Sequence, residues 1–107
     1  MSYKNISTQE FRALMKRPDA VILDVRTPGE VYDGVIEGNR LINLYDPEFM
    51  NEIQKLDKDK TYLIYCRSGN RSGMACGLME QLGFTSLYNL EGGIIDWNRY
   101  EFTTQEQ

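Results

Sequence analysis

The sequence predicts an α/β domain in which a parallel β-sheet of about five strands carries helices on both faces. Short apolar, β-branched runs alternate along the chain with segments whose apolar residues recur at helical spacing. Residues 20–25 are apolar except at Asp24, a pattern typical of a strand that is covered on both faces. Strands that alternate with helices indicate right-handed crossovers between parallel neighbours.

The first helix is predicted from the residues at its start. Ser7 can cap the helix and Glu10 can complete a capping box, while Pro18 is expected to end it. A second helix start is predicted at residues 27–30, where Pro28 can occupy the first helical position.

The same patterns predict the remaining elements. Strands are expected at residues 41–44, 62–65 and 86–90, and a helix over about residues 47–56. A longer helix is predicted before the last strand, because apolar residues lie at positions 75, 78, 79 and 82 and Gly83 can close it. A short final helix that carries Trp97 is expected after the turn at residues 91–93.

Composition limits the class of protein. The 107 residues are expected to form one domain, with an ordered core over about residues 3–100 and a polar tail at 101–107 that frays. Two cysteines without any histidine predict neither a disulfide framework nor a zinc site, and no cofactor is expected.

A net charge of −4 argues against a nucleic-acid or membrane surface. With no leader-like start and no spanning segment, a cytoplasmic protein is expected.

The most informative segment is residues 66–72, Cys-Arg-Ser-Gly-Asn-Arg-Ser. It joins a predicted strand to a predicted helix, so Cys66 is expected at a helix N-terminus on the carboxyl edge of the sheet. Backbone N–H groups, the helix dipole and the guanidinium groups of Arg67 and Arg71 would favour the thiolate there. The pKa of Cys66 is therefore expected to lie below that of an ordinary thiol. Since the chain has no histidine, no imidazole can act as the general base.

The residues around the thiol have expected roles, some with alternatives. Arg71 is expected to complete the anion cradle rather than to pair only with a carboxylate. Arg67 can contact an anionic substrate or point into solvent, and Ser68 can donate its hydroxyl to the thiolate or serve the turn alone. Gly69 and Asn70 are expected to form the turn, with Gly69 permitting close backbone approach.

Three further residues complete the expected site and its surroundings. Asp24 is expected to order neighbouring loop N–H groups, and Arg26 to form a structural ion pair, with Glu30 as the candidate partner. Cys76 is expected to pack against the apolar core rather than to form a disulfide with Cys66. A buried structural role for Cys66 is the alternative, although the polar residues that follow it do not form an apolar pocket.

Four segments together resemble those of single-domain rhodaneses, the sulfurtransferase family. Residues 24–30 are similar to the family's first signature, 35–38 lie where the second falls, 66–71 match its active-site loop, and 90–97 resemble its C-terminal signature. The second signature departs from the usual pattern, because Val35 stands where the family often has histidine.

The resemblance implies a rhodanese-like fold and a sulfurtransferase. Cys66 would take a sulfane sulfur from a small donor, thiosulfate or a persulfide, and pass it to a thiol or cyanide. A protein persulfide donor or acceptor is also compatible with this interpretation. Cys-dependent phosphatases and arsenate reductases are a rival class, but they usually have five residues between Cys and Arg, whereas four separate Cys66 from Arg71. A non-catalytic interaction module is the other alternative.

Overall fold

The computed structural model describes residues 3–105 and confirms the predicted α/β architecture. The strands are β1 (Tyr3–Ile6), β2 (Ala20–Asp24), β3 (Arg40–Leu41), β4 (Thr61–Tyr65) and β5 (Leu87–Leu90). They form one parallel sheet in the order β1-β5-β4-β2-β3. The helices are α1 (Thr8–Leu14), α2 (Phe49–Gln54), α3 (Asn70–Gln81) and α4 (Gly93–Gln105), with a 3₁₀-helix at Pro28–Asp33. Within this range no helix is both long and apolar enough to span a membrane.

Apolar side chains cover both faces of the sheet in two clusters. One cluster joins Ile64 of β4 to Met79 of α3, and the other joins Leu63 of β4 to Phe11 of α1. Alternate residues of a strand point to opposite faces of the sheet. Because both faces are covered here, β4 is buried along its whole length. The strand ends at the carboxyl edge of the sheet, where Cys66 belongs to the first cluster.

β1 is the strand that the sequence patterns do not predict. It pairs with β5 at one edge of the sheet, and its two central residues, Lys4 and Asn5, are exposed. An edge strand with a single fully buried residue, Ile6, has little hydrophobic periodicity, and so the sequence gives no clear signal for it.

Element lengths differ from the predicted ones at several places. β3 has two residues and α2 has six, so both are shorter than predicted. α1 ends at Leu14, before Pro18. α4 has 13 residues and is longer than the short helix predicted, since it continues to Gln105 through most of the polar tail. Residues 106–107 of that tail and residues 1–2 lie outside the described residues.

The predicted capping box is present at the start of α1, and the second predicted helix start has a similar side-chain cap. Ser7 Oγ accepts from the backbone N–H of Glu10 at 3.2 Å, and a Glu10 carboxylate oxygen accepts from the Ser7 N–H at 3.3 Å. The Glu30 carboxylate accepts from the backbone N–H and the hydroxyl of Thr27 at 3.0 and 2.8 Å. Pro28 begins the second of these helices, which is a 3₁₀-helix.

A fully buried ion pair lies at the carboxyl end of β2. Arg26 donates to Asp24 through Nε at 2.9 Å and through Nη2 at 2.7 Å, and neither side chain is exposed. The Tyr65 hydroxyl donates to Asp24 at 3.1 Å and accepts from the backbone N–H of Ile36 at 3.1 Å. Burial alone would lower the pKa of Arg26, but the hydrogen bonds and charge of Asp24 raise it, and the guanidinium stays charged.

The carboxylate partner of Arg26 is therefore Asp24 and not Glu30, which corrects the prediction. The Glu30 carboxylate is directed to Thr27, whereas the Asp24 carboxylate, two residues before Arg26, lies within hydrogen-bond distance of the guanidinium. Arg26 instead contacts the backbone of the next segment, donating to the carbonyls of Glu30 at 3.1 Å and Gly34 at 2.8 Å. The Arg26 N–H donates to Asp24 at 3.0 Å, as expected for a carboxylate that orders nearby N–H groups.

Replacing Arg26 should destabilise the fold strongly. Arg26→Met leaves the Asp24 carboxylate buried without its cation, so we expect the free energy of unfolding to fall by about 3 to 5 kcal/mol. Arg17→Met is the matched control, because the Arg17–Asp19 pair is open to water and should change the free energy far less. Urea unfolding of the two variants measures both values, and equal losses would contradict this account.

Candidate active site

Cys66 is the first residue after β4, and its sulfur lies in a ring of hydrogen-bond donors. Sγ accepts from the backbone N–H of Gly69 at 3.2 Å and from the backbone N–H of Ser72 at 3.4 Å. The Ser72 hydroxyl donates a third hydrogen bond at 3.3 Å. Cys66 is only 1% exposed, so its sulfur lies at the bottom of a narrow cradle.

The loop around Cys66 is fixed by close backbone packing against the turn that begins α4. Gly69 precedes α3 with φ of +98°, and a Cβ there would lie 2.1 Å from the carbonyl oxygen of Glu91. A Cβ on Gly93, whose φ is +63°, would lie 2.1 Å from the carbonyl oxygen of Arg67. The carbonyl of Cys66 also accepts from the backbone N–H of Ile94 at 2.9 Å. Only glycine fits these two positions.

Hydrogen bonds make the Cys66 thiol acidic even though it is buried. Burial by itself would raise the pKa of Cys66, because the charged form loses its contact with water. The hydroxyl and N–H of Ser72 and the backbone N–H groups of Ser68 and Gly69 outweigh this effect and hold the pKa below its ordinary value. This is the direction that the sequence predicts, and fixed donors rather than an imidazole produce it.

The hydroxyl that reaches the sulfur belongs to Ser72, which sequence reasoning missed. Ser68, the predicted candidate, is exposed, and the hydroxyl hydrogen bond to Sγ comes from Ser72. Ser72 is buried in the first turn of α3, where helical side chains point back toward the N-terminus. A serine one turn into the helix that follows a nucleophile is the signal that could have identified it.

Arg71 does not complete the cradle as predicted. Its guanidinium makes a bidentate pair with Glu30, with both N–O distances at 2.7 Å. Hydrogen bonds to Glu30 are the main cause of the raised pKa of Arg71, and the charge of Cys66 raises it further. Arg71 therefore acts on the thiolate through its charge, while Glu30 accepts one N–H from each of its terminal nitrogens.

The other predicted loop residues lie on the outer side of the cradle. Arg67 and Asn70 are exposed, and Asn70 begins α3. Arg67 lines a shallow cavity of about 300 Å³ together with Asp33 and Asn98. Contact between Arg67 and a substrate stays a prediction, since its exposed side chain is compatible with both roles proposed from the sequence.

The remaining predicted residues are separate from the cradle. Asp24 and Arg26 belong to the buried network that holds the segment after β2. Cys76 is buried in the same apolar cluster as Cys66, and both cysteines are free. Burial raises the pKa of Cys76 to about 12, with smaller contributions from the charges of Glu80 and Cys66. In the part of the chain that the structure describes, no cluster of metal-ligating side chains occurs.

Comparisons of the sequence and of the structure with known proteins both find rhodanese-like proteins and sulfurtransferases. The family model described as a rhodanese-like domain matches residues 7–100. A sulfurtransferase of Allochromatium vinosum is 41% identical over 77% of this chain and 75% of the relative. The thiosulfate sulfurtransferase GlpE of Pseudoalteromonas translucida is 32% identical over 91% of this chain and 90% of the relative. A solved rhodanese-related protein from Thermoplasma volcanium has a TM-score of 0.79 at 32% identity, covering 92% and 93% of the two chains.

Removing the Ser72 hydroxyl should make Cys66 less acidic. Ser72→Ala removes one of the hydrogen bonds that stabilise the thiolate, so we expect the pKa of Cys66 to rise by about one pH unit. The rate of iodoacetamide alkylation of Cys66 against pH, followed by peptide mass spectrometry, measures the midpoint. Ser68→Ala keeps the backbone donor and should leave that midpoint in place; a shift in Ser68→Ala alone would reverse the assignment.

The Glu30–Arg71 pair should make stability depend on pH in an acidic window. Hydrogen bonds from Arg71 to the Glu30 carboxylate lower the pKa of Glu30 from 4.5 to about 2. The folded state therefore binds fewer protons, and the stabilisation is present above about pH 4.5 and lost as the pH falls toward 2. Because Glu30 is partly in contact with water, we expect about 1 to 2 kcal/mol at pH 7.

Urea unfolding of the wild type and of Glu30→Gln between pH 7 and pH 3 tests this dependence. Glutamine at position 30 does not titrate, so the difference in free energy of unfolding between the two proteins should shrink below pH 4.5. A difference that stays constant over the whole range would show that the Glu30 charge does not contribute.

Proposed function

The chain belongs to the rhodanese-like family, and from this premise we propose that it is a sulfurtransferase that carries a sulfane sulfur on Cys66. The observation that carries the proposal is the ring of donors around Sγ, which comes from Gly69 and Ser72. Such donors stabilise an attacking thiolate and would equally stabilise the negative outer sulfur of a persulfide.

In the first half of the reaction, the Cys66 thiolate attacks the outer sulfur of thiosulfate. A new S–S bond forms to Sγ, the S–S bond of thiosulfate breaks, and sulfite leaves with the bonding electron pair. Cys66 then carries a persulfide with one negative charge, and the total charge is unchanged. A low-molecular-weight persulfide would react in the same way and release a thiolate.

In the second half, an acceptor removes the outer sulfur and regenerates the thiolate. A thiolate acceptor leaves as a persulfide, and cyanide leaves as thiocyanate. Every leaving group in both halves departs as a stable anion, so no general acid has to protonate it. This requirement suits a chain without histidine, in which hydrogen bonds and the nearby charge of Arg71 favour the Cys66 thiolate.

The cradle is less suited to phosphate chemistry. A phosphatase needs an arginine directed at two oxygens of the phosphoryl group, whereas here both terminal nitrogens of Arg71 are directed at the Glu30 carboxylate. The loop between Cys66 and Arg71 also has four residues rather than the usual five. A buried, narrow ring favours a single terminal sulfur over a tetrahedral oxyanion.

The charge and the narrowness of the site determine which sulfur donors it can accept. Arg67 is exposed next to Cys66 and can attract an anionic donor such as thiosulfate to the cradle. Since Cys66 is almost fully buried, the group that enters has to be slender, as a terminal sulfur is. A persulfide on a flexible segment of another protein satisfies the same requirement, and we retain it as the alternative donor.

Mass spectrometry after exposure to thiosulfate tests the function. The intact wild type should gain one sulfur atom that reductant removes, and Cys66→Ser should gain none. Cys76→Ser is the matched control and should keep the adduct and most of the turnover, because Cys76 is buried with a raised pKa.

Two results would contradict the proposal. Comparable losses in Cys66→Ser and Cys76→Ser would mean that the two cysteines do not have the separate roles assigned to them. A wild type that takes no sulfur from thiosulfate or from a small persulfide, and transfers none to cyanide, would favour a binding module instead.

A further inference from the structure

Asn89 connects the edge of the sheet to the cysteine loop. It lies on β5, is 3% exposed, and its Nδ2 donates to the carbonyl oxygen of Gly69 at 3.1 Å. The same Nδ2 donates to Oδ1 of Asn5 at 2.8 Å. The register of β1 and β5 places Asn5 directly opposite Asn89, so the pairing of the two strands orients the amide.

The amide group of Asn89 is more than a packing element. Its Oδ1 atom is buried and accepts no hydrogen bond from the described residues. A buried acceptor without a partner costs free energy, so an apolar side chain of similar volume would suit a position that served packing alone. The function of this amide therefore lies in its donor side, which contacts Gly69.

Gly69 is the residue through which Asn89 can affect the sulfur. Its N–H donates to Cys66 Sγ at 3.2 Å, while its carbonyl accepts from Asn89 and from the N–H of Gly73 at 3.0 Å. Gly69 has a left-handed backbone and no side chain, so its orientation depends on these backbone contacts. Losing one of them would let the N–H turn away from the sulfur.

We propose that Asn89, oriented by Asn5, is a positioning residue that holds the Gly69 N–H on the Cys66 sulfur. The inference rests on the proposed function, since the N–H that stabilises the thiolate would also stabilise the persulfide. Asn89 makes no hydrogen bond to the sulfur, and it acts through the backbone of Gly69, whose carbonyl it binds and whose N–H reaches the sulfur. Loss of the amide should therefore change the acidity of Cys66 as well as the rate of sulfur transfer.

Asn89→Leu is the informative variant, because leucine has a similar volume and no donor. We expect the alkylation midpoint of Cys66 to rise by about one pH unit, and kcat/KM for sulfur transfer to fall about tenfold or more. Asn5→Ala changes an exposed residue, so it should fold normally and shift the midpoint in the same direction by less. It supplies the test if Asn89→Leu does not fold.

Asn39→Ala is the matched control. Asn39 Nδ2 donates to the backbone carbonyl of Ile36 at 2.9 Å, so this variant removes the same kind of hydrogen bond away from the cysteine loop. Its alkylation midpoint and its activity should equal those of the wild type. A merely structural loss would lower the melting temperature without moving the midpoint.

The outcomes separate this inference from the proposed function. A raised midpoint in Asn89→Leu or Asn5→Ala supports the positioning role even if the wild type transfers no sulfur, because alkylation reports on the thiolate alone. An unchanged midpoint in the folded Asn89→Leu variant overturns the role even if the wild type transfers sulfur. If only Asn5→Ala folds, an unchanged midpoint in that variant overturns it as well.

Discussion

The contact between the cysteine loop and the turn before α4 is the constraint on which the site depends. Two stretches of backbone approach so closely there that a Cβ at Gly69 or at Gly93 would overlap a carbonyl of the other stretch. The approach is stabilised because the carbonyls of Cys66 and Arg67 accept from N–H groups at the start of α4. With its carbonyls used in this way, the loop turns its N–H groups inward to the sulfur. The segments 66–71 and 90–97 are thus two halves of one packing arrangement.

Glu30 joins the two polar systems at the carboxyl edge of the sheet. Its backbone carbonyl accepts from Arg26, and so it belongs to the buried network around Asp24. Its carboxylate binds Arg71 on α3, the helix whose first turn supplies the Ser72 donors. The ion pair at β2 is therefore connected to α3 through one residue, while the buried side chains of α3 pack the helix into the apolar core.

Sequence reasoning predicted the parts of the molecule that are governed by local patterns. The buried strand β4 and the capping box at Ser7 follow from periodicity and from short-range hydrogen bonding, and both were confirmed. β1 was missed because an edge strand with exposed residues has no such pattern. Arg26 pairs with Asp24 rather than with Glu30, and Arg71 pairs with Glu30 rather than completing the cradle, because each guanidinium has more than one group within its reach. Choosing between partners needs the tertiary geometry, and the same is true of the Ser72 hydroxyl.

The two cysteines show that hydrogen-bond donors, and not exposure, decide which thiol has the lower pKa. Cys66 and Cys76 lie in one apolar cluster and are equally buried, at 1% and 0% exposure. Burial raises the pKa in both cases, and at Cys76 the nearby negative charges add to this effect. At Cys66 the donors of the loop and of Ser72 reverse it, and the pKa falls. A buried thiolate is also poorly hydrated, so an anionic sulfur that reaches it meets fixed donors instead of competing water. Fixed backbone N–H groups and the Ser72 hydroxyl therefore lower the pKa of Cys66 in a chain that contains no histidine.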